Sequence, residues 1–216
     1  RLRNMNENEI REFVNSNGNG SDDIPSKGEY VIIKVIQATG HTLKGILKSK
    51  GLSISVGDEG GFAPNLNSPE EVLDLIMVAI EKTGYEPGDQ VSLCLDIAAT
   101  EFYSNSLYNL DGMGKSFNTI EMIEYIKDLC SKYPISSVED GLDEDDWLGW
   151  EKLTQTLGTK VQLVGDDLFV TNPSRIRKGI EGKSANAVLV KVNQIGSLLE
   201  TFDAIKTSSQ NKFQTV

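Results

Sequence analysis

Four ionisable residues each follow a short apolar run: Leu93-Cys94-Leu95 leads into Asp96, Ser137-Val138 into Glu139, Leu163-Val164-Gly165 into Asp166, and Val188-Leu189-Val190 into Lys191. If the apolar runs are parallel strands of one (β/α) unit, their carboxyl ends share a face, and three carboxylates and a lysine converge there. Such carboxylates repel one another unless a cation lies between them, and all-oxygen ligation suits a hard ion such as Mg²⁺. A lysine beside that cation has its ammonium form disfavoured, which brings it toward general-base chemistry next to a carboxylate. A fifth candidate stands in Gly57-Asp58-Glu59-Gly60-Gly61, where flanking glycines permit left-handed backbone and present Glu59 as an acid for a leaving hydroxyl. Taken singly, each acid at a strand end is more often a helix N-cap or a solvated loop group, and Lys191 more often a surface residue. Polar βα loops leave both readings open.

The elements needed to position these groups are legible from residue 41 onward. Ser68-Pro69-Glu70-Glu71 combines an N-cap, a proline at the first helical position and a capping-box acid, and Gly84 supplies the stop. Asn118 with Glu121 opens a helix that must end before Pro134; Asn172-Pro173 opens another, and Ser197 with Glu200 a last one. Between them lie apolar runs at residues 91–95, 135–138, 161–164 and 187–190, the pattern of strands covered on both faces. The order βαβαβαβα predicts an α/β fold, a parallel sheet or barrel. Tyr30-Val31-Ile32-Ile33 fits a strand or a helix start equally well.

Residues 1–28 are polar and acidic and predict a flexible segment, with one domain over 29–216. The chain has 21 Lys and Arg against 32 Asp and Glu, a net charge of −11, which argues against nucleic acid or an anionic membrane as partner. Cys94 and Cys130 sit in apolar periodic segments without CxxC pairing, and are expected to be buried, reduced thiols. The single histidine, His41, is expected to be a helix surface or core residue, and Asp143–Asp146 a solvated acidic loop rather than a calcium site. No apolar run is long enough to span a bilayer and no signal peptide is evident at Arg1–Asn6, so the expected location is cytoplasmic.

Five blocks, in order, resemble the enolase family: residues 57–64 (GDEGGFAP), 95–103 (LDIAATEFY), 138–147 (VEDGLDEDDW), 165–173 (GDDLFVTNP) and 191–197 (KVNQIGS). The Glu139-Asp140-Gly141-Leu142 wording is closer to bacterial-type members. The resemblance implies a partial (β/α) TIM-type barrel of the enolase C-terminal domain, truncated at both ends and missing the last strands. It implies Mg²⁺-dependent, reversible dehydration of 2-phosphoglycerate to phosphoenolpyruvate, with Asp96, Glu139 and Asp166 as metal ligands, Lys191 as base and Glu59 as acid. A lysine base with Mg²⁺ is the known pattern of enolase-superfamily sites. The family's N-terminal domain and its later phosphate-binding arginine and serine have no counterpart here, which implies completion by another chain or an exposed apolar barrel interior. A homodimer is implied only by the general resemblance to dimeric enolases, whose usual dimer surface draws on the absent domain. The same departures support an alternative, a non-catalytic relative acting by protein binding.

Overall fold

A computed structural model describes residues 27–57 and 60–216, with side chains from residue 37 onward. The described residues form two compact units, one running to Asn65 and including Val72–Tyr85, the other made of Leu66–Glu71 and Glu86–Val216. No helix among them is long and apolar enough to cross a membrane.

In the first unit, α1 (Lys27–Ser49) and the greater part of α2 (Pro69–Lys82) carry the apolar residues Ile46, Leu47, Leu73, Ala79 and Ile80 into the interior. The run Tyr30–Ile33 is therefore helical. Both helices stop in the same way. Leu52 N–H reaches Leu47 O and Gly51 N–H reaches Lys48 O, and Tyr85 N–H and Gly84 N–H repeat the pattern on Ile80 O and Glu81 O. Such paired bonds need a left-handed residue after the helix, and the glycines provide it at φ 71° and 82°. At the start of α2, Ser68 Oγ accepts from Glu71 N–H while the Glu71 carboxylate reaches back to Asn67 N–H. His41 is an exposed residue of α1.

The second unit is a five-stranded parallel sheet with neighbours in the order β1 (Leu93–Asp96), β5 (Ile135–Glu139), β6 (Gln162–Gly165), β7 (Ala187–Val188) and β8 (Gln214–Thr215). The strands are joined by α3 (Thr119–Lys132), α4 (Trp147–Leu157), α5 (Pro173–Gly182), and α6 (Val192–Ile195) with α7 (Leu198–Gln210). This is the helix-connected parallel arrangement of a partial TIM-type barrel. Val138, Leu163, Trp150, Leu153, Ile126, Ile176 and Ala204 are all essentially inaccessible and form the sheet–helix core. A meander of β2 (Tyr103–Ser104), β3 (Leu107–Leu110) and β4 (Lys115–Phe117), which the reading of parallel strands did not include, is inserted between β1 and α3.

The predicted caps are formed. Asn118 accepts from the N–H groups of Ile120 and Glu121 while Glu121 accepts from Asn118 N–H, and α3 ends at Lys132, ahead of Pro134. Asn172 caps α5 ahead of Pro173, and Ser197 accepts from Glu200 N–H at the start of α7.

Two expectations require correction. Cys94 is exposed and Cys130 only half-buried, both as free thiols. For Cys94 the reason is alternation along β1, an outer strand of the five, whose Leu93 is buried while Cys94 and Asp96 are exposed. The face opposite the helices is also not uniformly apolar, because Ser137 donates to Gln162 at 3.0 Å and Gln162 to Gln214, a polar row across β5, β6 and β8.

Candidate metal centre

Parallel pairing sets the geometry of the site. Asp96 and Glu139 are register partners at the ends of β1 and β5, and Glu139 is in turn opposite Val164 of β6, two residues before Asp166. The ladder continues past the strands: Ile97 N–H bonds Glu139 O, Asp140 N–H bonds Val164 O, and Leu189 N–H bonds Gly165 O, at 3.0 to 3.1 Å. The backbone just beyond the strand ends is thus held to its neighbours. Lys191 lies three residues beyond β7 as the N-cap of α6. Asp58 and Glu59 lie outside the described residues; around them, Gly57 N–H bonds Gly61 O at 2.8 Å and Gly60 has φ 83°.

Carboxylate oxygens of Glu139, Asp140 and Asp166 lie within 4.8 Å of one another, the set among the described residues able to surround a metal ion. Asp140 was not among the predicted acids. A residue directly after Glu139 on an extended strand points to the other face, but Asp140 has φ 42°, and this left-handed turn brings it into the same cluster. Both of its oxygens are engaged, Oδ1 by Asp166 N–H at 3.0 Å and Oδ2 by Asp167 N–H at 2.8 Å. Asp140 therefore braces the backbone that carries Asp166, and its capacity for a metal is correspondingly reduced. Asp96 stands beside the cluster, with Oδ1 accepting from Ala98 N–H at 3.2 Å.

The electrostatics follow from the crowding. Burial pushes the Glu139 carboxyl up to about 7, reinforced by the negative charges of Asp96, Asp140 and Asp166 and opposed by Lys191. Burial also raises Asp140 to about 6, against the two N–H groups that favour its charged form. The donor set, all carboxylate oxygen with Glu139 and Asp140 driven toward their neutral acids by burial and then by like charge, fits a hard divalent cation. Lys191 donates to Asp166 Oδ2, and this bond raises its pKa. The lowering expected beside a bound cation is thus not a property of the residues alone, because Asp166 is the direct partner of the ammonium and favours it.

The loop after β6 is strained. Val170 and Thr171, consecutive β-branched residues, have φ 43° and 53°, a conformation costing on the order of 1–3 kcal/mol each. Two tight turns hold it, Val170 N–H to Asp166 O and Asn172 N–H to Phe169 O, both 2.7 Å. Thr171 is fully buried and Gln194 donates to Asp166 Oδ1 at 3.2 Å. Neither residue stood out in the sequence; the only signal was membership in the fourth and fifth blocks.

The acidic loop after β5 is likewise not simply solvated, since only Asp145 of its four acids is exposed. Asp146 Oδ2 accepts from Tyr108 at 3.0 Å and Thr119 at 2.6 Å, while its Oδ1 caps α4 through Gly149 N–H at 3.0 Å. Arg175 then joins this loop to the one after β6, donating to Glu144 O and Leu168 O at 2.6 Å each and lying over the Trp147 ring.

A family model described as the enolase C-terminal TIM barrel domain matches residues 27–216. The match covers all four described candidate positions together with Glu59. With its parallel strands ending in Asp96, Glu139, Asp166 and, shortly after the fourth, Lys191, this chain belongs to the family of the enolase C-terminal TIM barrel domain.

Proposed function

We propose that the chain carries the reaction centre of an enolase, the Mg²⁺-dependent, reversible dehydration of 2-phosphoglycerate to phosphoenolpyruvate. The observation that carries the reading is the arrangement of Glu139, Asp166 and Lys191 at successive strand ends, with Asp96 in register beside Glu139, within a family member. Asp96, Glu139 and Asp166 would hold the cation, and Asp140 the loop beneath it. The bound ion supplies electrostatic stabilisation of the negative charge that develops on the substrate carboxylate when the adjacent proton leaves.

Lys191 accepts that proton at Nζ. Its partner Asp166 sets the direction of the side chain, and coordination of Asp166 would withdraw the charge that now favours the ammonium. Glu59 donates a proton to the departing hydroxyl, so one proton is taken, one is given, and water leaves as the double bond forms. The location expected for the reaction is cytoplasmic.

The test is phosphoenolpyruvate formation by purified protein with and without Mg²⁺, beside Lys191→Ala. A general base contributes about 10²- to 10⁴-fold, so the variant should lose at least that factor while still binding the metal. Equal rates in the two proteins would refute the assignment.

A further inference from the structure

The contacts around Asp166 close into a ring with a defined direction. Thr171 Oγ1, buried completely, accepts from Lys191 N–H at 2.9 Å. Its own proton has two acceptors in reach, Gln194 Oε1 at 3.0 Å and Leu189 O at 3.3 Å, and the shorter is Gln194. The amide of Gln194 cannot be turned the other way, because its second contact, at 3.2 Å, is to Asp166 Oδ1, a carboxylate oxygen that only accepts. Asp166 Oδ2 then takes the remaining bond from Lys191 Nζ. The ring thus runs from the Lys191 main chain through Thr171, Gln194 and Asp166 back to the Lys191 side chain.

We propose that Thr171 and Gln194 are positioning residues of the reaction centre: together they fix the carboxylate plane of Asp166 and the main chain of Lys191, so that metal ligand and base are set by one hydrogen-bond ring. This rests on the reading of Asp166 as a metal ligand given above. Gln194 holds one oxygen in place at 3.2 Å and so restricts rotation of the carboxylate whose other oxygen would face a cation. Outer-shell partners of this kind set the affinity of ligating carboxylates. Thr171 stands at the end of the strained pair Val170–Thr171, and its buried hydroxyl meets Leu189 O and Lys191 N–H in the segment that follows β7.

Two measurements on wild type, Gln194→Ala, Thr171→Val and Thr171→Ser test this. Calorimetric titration with Mg²⁺ alone should show affinity reduced about 10- to 100-fold in Gln194→Ala and Thr171→Val, and near wild type in Thr171→Ser, which keeps the hydroxyl. Hydrogen exchange on the metal-free proteins should show the Lys191 amide exchanging at least about tenfold faster in the first two and protected in the third. Should Thr171→Val fail to fold, Gln194→Ala against Thr171→Ser decides. Wild-type affinity and wild-type Lys191 protection in folded Gln194→Ala overturn the proposal. A wild type that binds no Mg²⁺ overturns the metal reading instead, and the exchange result then still decides whether the ring exists.

Discussion

The raised proton affinity of Glu139 makes a prediction that can be worked through. Its carboxyl ordinarily titrates at 4.5 and is held at about 7 in the fold. The folded protein therefore binds more protons than the unfolded chain between those values, so in the absence of divalent metal this group's contribution must fall as pH rises from 4.5 to 7. At about 1.4 kcal/mol for each tenfold change in proton affinity, the ceiling is roughly 3.5 kcal/mol. Glu139 is only half-buried, and solvent screening reduces this to about 1–2 kcal/mol. For a chain of this length that is a shift in Tm of roughly 3–6 °C. Many other groups titrate in the same range, so the comparison is with Glu139→Gln, which mimics the protonated acid. Thermal unfolding followed by circular dichroism in EDTA should find the two proteins similar near pH 4.5 and the variant more stable by that amount at pH 8. Excess Mg²⁺ should stabilise the wild type at pH 8 and not the variant, since only the wild type presents the full donor set. Parallel pH profiles for the two proteins in EDTA would refute the idea that burial, reinforced by like-charge crowding, acts on this carboxyl.

Other outcomes follow from particular contacts. Asp146→Ala removes a helix cap and strands the hydroxyls of Tyr108 and Thr119, and should cost about 2–4 kcal/mol in denaturant unfolding. Gly179→Ala would drive a Cβ into the ring of Phe169, which is fully buried, and should destabilise by about 1–3 kcal/mol in the same assay, although alanine is the better helix former. Of the two thiols, exposed Cys94 should react rapidly with an aromatic disulfide reagent at pH 8. Cys130, half-buried and pushed up to about 11 by burial, is then roughly one part in a thousand thiolate and should lag far behind; equal rates would contradict the burial assigned to α3.

Much of the architecture was legible because it is written in short-range chemistry. An N-cap and its partner three residues later, a proline at a first helical turn and a glycine after a last one act within a single helical turn, so Ser68, Asn118, Asn172, Ser197 and Gly84 can be read without knowing the fold. The apolar runs ending in Asp96, Glu139, Asp166 and Lys191 are legible for a related reason: parallel strands align their ends, and the chain order of the strands is here their order in the sheet. What the tertiary structure alone decided rests on contacts between residues far apart in sequence. Asp140 enters the acidic cluster because of a left-handed turn stabilised by amides 26 and 27 residues away. Thr171 and Gln194 gain their role from partners 20 to 28 residues distant, and Asp146 changes from a solvated acid to a brace through Tyr108, 38 residues back. No local pattern encodes these bonds, since a hydroxyl or an amide is equally compatible with solvent until the sheet brings its partner within 3 Å.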